Sequence, residues 1–103
     1  MIKVKVKKEN SNISKITIKG HAEYDEKGKD IVCASVSSIV ITSVNAIIRI
    51  DDKSITYKDL DGFIEINLIN CNNDIVNKLI DNMVDLLTEL ERDYKNYIEI
   101  REV

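Results

Sequence analysis

The sequence contains no proline, and no repeat or low-complexity run interrupts its 103 residues. Nothing marks a linker, and at this length the balance of surface to volume favours one core, so residues 1–103 read as a single domain. Only two cysteines are present, Cys33 and Cys71, far apart in the chain. Small exported domains carry a denser disulfide framework, so reduced thiols in the cytoplasm are expected. The opening residues MIKVKVKK alternate in character and supply no uninterrupted apolar core of a secretory signal. The longest apolar stretch, Ile39 to Ile50, is broken by Thr42, Ser43, Asn45 and Arg49. It reads as a buried helix and not a membrane span. Net charge is only -3 and the cations are scattered along the sequence, which argues against nucleic acid as a direct partner. One histidine and two distant cysteines lack the ligand pairs of a metal site. No metal site is expected.

What is present is a globular balance, 44% hydrophobic and 32% charged, unlike the composition of disordered chains. Ile2, Val4 and Val6 alternate with Lys3, Lys5 and Lys7, and Ile16 and Ile18 alternate with Lys15, Thr17 and Lys19. Both segments predict strands with one wet face, joined by turn chemistry in Glu9, Asn10, Ser11 and Asn12. Gly20 to Asp30 has no periodicity and predicts a loop.

From Ile31 to about Ile50 the spacing becomes helical, with a narrow polar stripe of Ser35, Ser38, Thr42, Asn45 and Arg49. Val32, Val36, Ile39, Ile47 and Ile50 are placed against a sheet. Ile41, Val44 and Ile48 are expected to point elsewhere. They need cover from a homodimer partner or from a second helix of the same subunit. Ser54–Tyr57 and Phe63–Ile69 predict two strands turning at Asp61-Gly62. A second helix follows Asn73 or Asp74 as cap, with Val76, Leu79, Ile80, Met83, Leu87 and Leu90 on its apolar side. Ile98 and Ile100 mark a last strand. The expected fold class is α+β, a two-layer sandwich of mostly antiparallel sheet with two helices on one face, in the order ββαββαβ.

The residues able to carry chemistry are few. If Asp30 caps the helix, Cys33 lies in its first turn, where unpaired N–H groups and the helix dipole favour a thiolate. A cysteine protease needs that thiolate, a base and donors for an oxyanion. The first-turn amides are candidates for the last, and His21, at the far end of a glycine-bearing loop, for the base. The plain alternative is a buried small hydrophobe at Cys33 and a surface histidine at His21. Spacing alone leaves both readings open. A thiol-redox enzyme lacks its C-x-x-C pair here, and Cys71, among asparagines, reads as structural.

Gly20-His21-Ala22 followed by Gly28-x-Asp30-x-Val32-Cys33-Ala34-x-Val36-Ser37 resembles the signature of the ribosomal-processing cysteine protease (Prp) family. Val44-Asn45-Ala46-Ile47 and Tyr94-x-x-Tyr97-Ile98 extend the similarity over nearly the whole chain. The resemblance implies a bacterial cytoplasmic homodimer that works without a cofactor. Its substrate would be the precursor of the twenty-seventh large-subunit ribosomal protein, from which the family removes an N-terminal extension between Phe and Ala. It also implies His21 as base and Cys33 as nucleophile, with Gly20, Asp30 and Ser37 at motif positions. Gly20 would allow a close turn, Asp30 would cap the helix or orient His21, and Ser37 would hydrogen-bond the sulfur or the substrate, or simply pack. A carboxylate near the sulfur opposes thiolate formation, which favours the capping role for Asp30. A non-catalytic ribosome-assembly or peptide-binding module is the alternative function. The loop from His21 to Gly28 carries Glu23, Asp25 and Glu26 against Lys27 and is expected to move, ordering when substrate binds. The cleft for an apolar substrate residue has no visible sequence signal.

Overall fold

A computed structural model describes residues 1–69 and 72–103. Cys71, expected to be structural, lies outside the described residues. The elements are β1 (Ile2–Glu9), β2 (Asn12–Lys19), α1 (Ile31–Ile50), β3 (Ile55–Leu60), β4 (Phe63–Leu68), α2 (Asp74–Asp93) and β5 (Ile98–Glu102). This is the expected ββαββαβ order. Asn10 and Ser11 both take positive φ, 52° and 71°, the twist that a two-residue hairpin requires between β1 and β2. Gly62, at φ 72°, turns β3 back into β4 with Leu60 paired to Phe63. Strand β3 runs up to this turn, three residues beyond its expected end at Tyr57. Pairing with β4 overrides the polar character of Lys58 and Asp59.

The five strands form one sheet in the order β3-β4-β2-β1-β5, and the β1–β5 pair is parallel while the others are antiparallel. Alternation sends Val4, Val6, Ile16, Ile18, Ile66 and Ile98 into a core shared with Val32, Val36, Val40, Val44 and Ile47 of α1 and Val76, Ile80, Met83 and Leu87 of α2. Both N-caps are local. Asp30 accepts from the Val32 and Cys33 N–H groups, and Asn73 from those of Ile75 and Val76.

Of the three α1 residues expected to need cover, Val44 finds it within the subunit: it is 1% exposed, on a buried stripe that runs at four-residue steps through Val32, Val36, Val40 and Val44. Ile50, expected against the sheet, is 46% exposed in the last turn; Ile41 and Ile48 do face outward, at 45% and 41%. By length and composition α1 could cross a membrane. Its buried stripe instead belongs to the core.

The sheet face away from the core is basic. Lys3, Lys5 and Lys7 of β1 lie beside Lys15, Thr17 and Lys19 of β2, with Lys3 directly opposite Lys19 and Lys7 opposite Lys15. Lys58 of β3 and Arg101 of β5 stand on the same side. Carboxylates there include Glu65 and Glu99, which pair with Lys15 at 3.0 Å and with Arg101, and Glu9 reaches Lys7 at the strand edge.

Candidate active site

Strand β2 ends at Gly20, whose N–H donates to the Gly62 carbonyl at 2.9 Å. Its φ is 94°, and a Cβ there would stand 2.6 Å from the Met1 carbonyl oxygen. Only glycine leaves the strand by this route. Two residues on, Ala22 meets the start of α1.

Cys33 is half-buried in the first turn of that helix. Asp30 Oδ1 accepts from the N–H groups of Val32 and Cys33, both at 3.0 Å, and Oδ2 from that of Tyr24 at 2.9 Å. Asp30 is therefore the helix cap, and both its oxygens are engaged by backbone. Burial acts to raise its carboxyl, but the N–H groups of Cys33, Tyr24 and Asp25, with the Cys33 thiol, outweigh this and hold it below the ordinary aspartate value. The same contacts revise one expectation. Two of the first-turn amides considered for an oxyanion are taken up by the cap.

A different amide addresses the sulfur. The Ala22 N–H donates to Cys33 Sγ at 3.3 Å, and Ala22 itself is 3% exposed. The sequence held no signal for this contact, which depends on the loop folding back over eleven residues. His21, immediately before Ala22, is exposed, with Nε2 3.7 Å from Asp61 Oδ1. A Cβ on Gly62 would come 3.0 Å from that nitrogen. The carboxylate beside His21 is thus Asp61 and not Asp30.

The loop expected to move is anchored at two of its residues. Ala22 is buried, and the Tyr24 ring meets Tyr94 and Tyr97 edge-on at centroid distances of 5.5 and 5.0 Å. Glu23, Asp25, Glu26 and Lys27 remain exposed.

His21, Cys33, Gly20, Asp30 and Ser37 all line one cleft of about 800 Å³. Ser37 lies one helical turn beyond Cys33 and is exposed. The opposite wall is the β3–β4 hairpin, residues 59–64, and the apolar lining comes from Ile2, Ile18, Val36, Leu60, Phe63 and Ile64. The sequence located no cleft; the Asp61-Gly62 turn signal was legible, its approach to His21 was not. Behind that wall, on β3, Tyr57 Oη donates to Asp59 at 3.0 Å. Burial, that hydrogen bond and the carboxylate charge push the phenol up to about 12, so it remains a donor at neutral pH. Among the described residues no cluster of three His, Cys, Asp or Glu could hold a metal.

The profile of the family described as "Cysteine protease Prp" matches residues 1–99. The chain belongs to the Prp family. A ribosomal processing cysteine protease Prp of Staphylococcus aureus is 32% identical over 94 residues, 89% of either chain. The Prp of Bacillus subtilis is 29% identical over 91 residues, covering 79% of this chain and 78% of that one. The crystal structure of the Staphylococcus aureus Prp with a covalently linked product peptide superposes over 100% of both chains with a TM-score of 0.95 at 29% identity. Its complex with a substrate peptide gives 0.88 at 28%. Prp membership makes the chain a cysteine peptidase of a ribosomal-processing family, and the two-layer fold is the Prp fold.

Proposed function

We propose that the chain removes the N-terminal extension of the twenty-seventh large-subunit ribosomal protein, with Cys33 as nucleophile and His21 as general base. The observation that carries this reading is the Ala22 N–H on Cys33 Sγ at 3.3 Å. It puts the residue after His21 against the sulfur and gives a thiolate a hydrogen-bond donor at the start of a capped helix. His21 takes the thiol proton and the thiolate attacks the scissile carbonyl. The tetrahedral intermediate collapses as protonated His21 gives its proton to the leaving amine. Water, with His21 again as base, then hydrolyses the thioester.

The apolar lining of the cleft suits an apolar residue before the cleaved bond. Gly20 sets the direction of His21, and Asp30 holds the helix start. Ser37 lies where it can meet substrate. The relatives crystallised with peptides support a peptide substrate for this cleft. The reading includes a cytoplasmic homodimer, in which a second subunit covers Ile41 and Ile48, exposed on α1.

The test is cleavage of the extended ribosomal protein, followed by mass spectrometry. Cys33→Ala and His21→Ala each abolish it while far-UV circular dichroism is unchanged; cleavage retained by Cys33→Ala excludes the mechanism. A non-catalytic ribosome-assembly or peptide-binding module would leave Cys33 inert, so rapid alkylation near neutral pH separates the two.

A further inference from the structure

The lysines that look dispersed along the sequence are gathered by the sheet. Lys3, Lys5 and Lys7 stand at alternate positions of β1 and are exposed, and the adjacent β2 sets Lys19 opposite Lys3 and Lys15 opposite Lys7. Like charges directly opposite on neighbouring strands destabilise a sheet. Glu65 offsets Lys15 at 3.0 Å, and Glu9 reaches Lys7 only at the strand edge, at 3.7 Å between exposed groups. Glu99, in register with Lys3, is paired with Arg101, and for Lys3, Lys5 and Lys19 the structure shows no ion pair among the described residues. In a chain of net charge -3, this one face is strongly cationic.

We infer that the open sheet face binds the phosphate backbone of RNA. Same-face side chains on a strand recur about every 6.8 Å on strands about 4.8 Å apart, so the lysines form a flat array suited to a repeating anion. Lys19 lies 5.7 Å from the centroid of the Phe63 ring, so this end of the array adjoins the hairpin wall of the cleft. Membrane attachment would need an apolar face beside the cations. The exposed Ile41 and Ile48 belong to α1, in the layer on the other side of the sheet, while exposed Leu60 stands in register with Phe63 and Lys19 at one corner of the lysine face; anionic vesicles in the test below separate a membrane from RNA. The active-site cleft, by contrast, carries Glu23, Asp25, Asp59 and Asp61. RNA would therefore hold the enzyme by the sheet and leave the cleft free for peptide. A ribosomal protein precursor bound to RNA would gain local concentration of the enzyme.

The experiment measures fluorescence anisotropy of a labelled oligouridylate with the full chain across salt. About four phosphate contacts predict a slope of about −3 in log K against log salt, a loss of roughly 50-fold between about 50 and 200 mM. The combined variant Lys3→Gln, Lys5→Gln, Lys7→Gln lowers that slope by about 2. Its melting temperature stays level or rises, because two like-charge pairs are gone, and cleavage of a free peptide is unchanged. Lys5→Gln alone, opposite Thr17, gives about one third of the slope change and serves if the triple variant melts early. No binding at about 50 mM, an unaltered slope in both variants, or equal affinity for polyglutamate or anionic vesicles overturns the inference.

Discussion

Cys33 and His21 share a cleft, yet they are held by different kinds of structure. Cys33 sits in the first turn of a 20-residue helix, its N–H bonded to the cap and its sulfur to Ala22. His21 is exposed, and the carboxylate beside it, that of Asp61 at 3.7 Å, is itself 80% exposed. The proposed nucleophile is fixed by folding and the proposed base by surface contacts. A proton acceptor held this way can turn during a cycle in which it takes up, donates and takes up a proton again, whereas the sulfur has only to stay in place.

The contrast can be broken most severely at Gly20, where the rigid frame meets the loop. Gly20→Ala places a Cβ 2.6 Å from the Met1 oxygen at φ 94° and costs about 2–3 kcal/mol in chemical denaturation, from positive-φ strain plus displaced backbone. Next is Asp30→Ala. Losing the cap lowers stability by about 1–2 kcal/mol, and mass-labelled alkylation of Cys33 changes with the helix start.

The Asp30 carboxyl is also a source of acid sensitivity. Its folded value lies below the ordinary 3.8, so between the two values the unfolded chain binds more protons. Its contribution is complete above the ordinary value and disappears as pH falls through the lowered one. Asp30→Ala flattens that part of a stability-against-pH curve. On the loop side, Tyr24→Ala removes two edge-on ring contacts, at about 1 kcal/mol or less because Tyr24 is half exposed. Its clearer signature is faster proteolytic nicking between Glu23 and Lys29. Asp61→Asn has the smallest effect, at most about a fivefold change in kcat/KM with an unmoved melting temperature, as befits an exposed pair. If Asp61→Asn instead matched Asp30→Ala in destabilisation, the division between a folded frame and surface-held base would fail.

What could be read from the sequence was local. The β1–β2 hairpin, the Asp61-Gly62 turn and the caps at Asp30 and Asn73 rest on interactions within a few residues, and the structure has each of them. Strand order was not legible, because the parallel β1–β5 pairing joins residues almost a hundred positions apart. The lysine face escaped for the same reason. Alternation marks Lys3, Lys5 and Lys7 as wet, but only the register shows Lys19 and Lys15 opposite them. At the cleft, the motif named His21 and Cys33, while the hairpin wall and the Ala22 N–H emerge only in three dimensions. Which cover Val44 would find, and that Ile50 would stay exposed, was not legible because nearly every side of α1 is apolar, and periodicity could not select the stripe that the sheet and α2 bury.

The parallel β1–β5 pair carries a consequence for biosynthesis. Val4 and Val6 are laid down early, but their parallel neighbours Ile100 and Glu102 come at the far end of the chain. Ile98, fully buried, also enters late. A nascent chain still lacking these residues holds β1 with one unpaired edge and an unfinished core. The fold is therefore completed only after translation has passed residue 102, and the growing polypeptide is aggregation-prone until then.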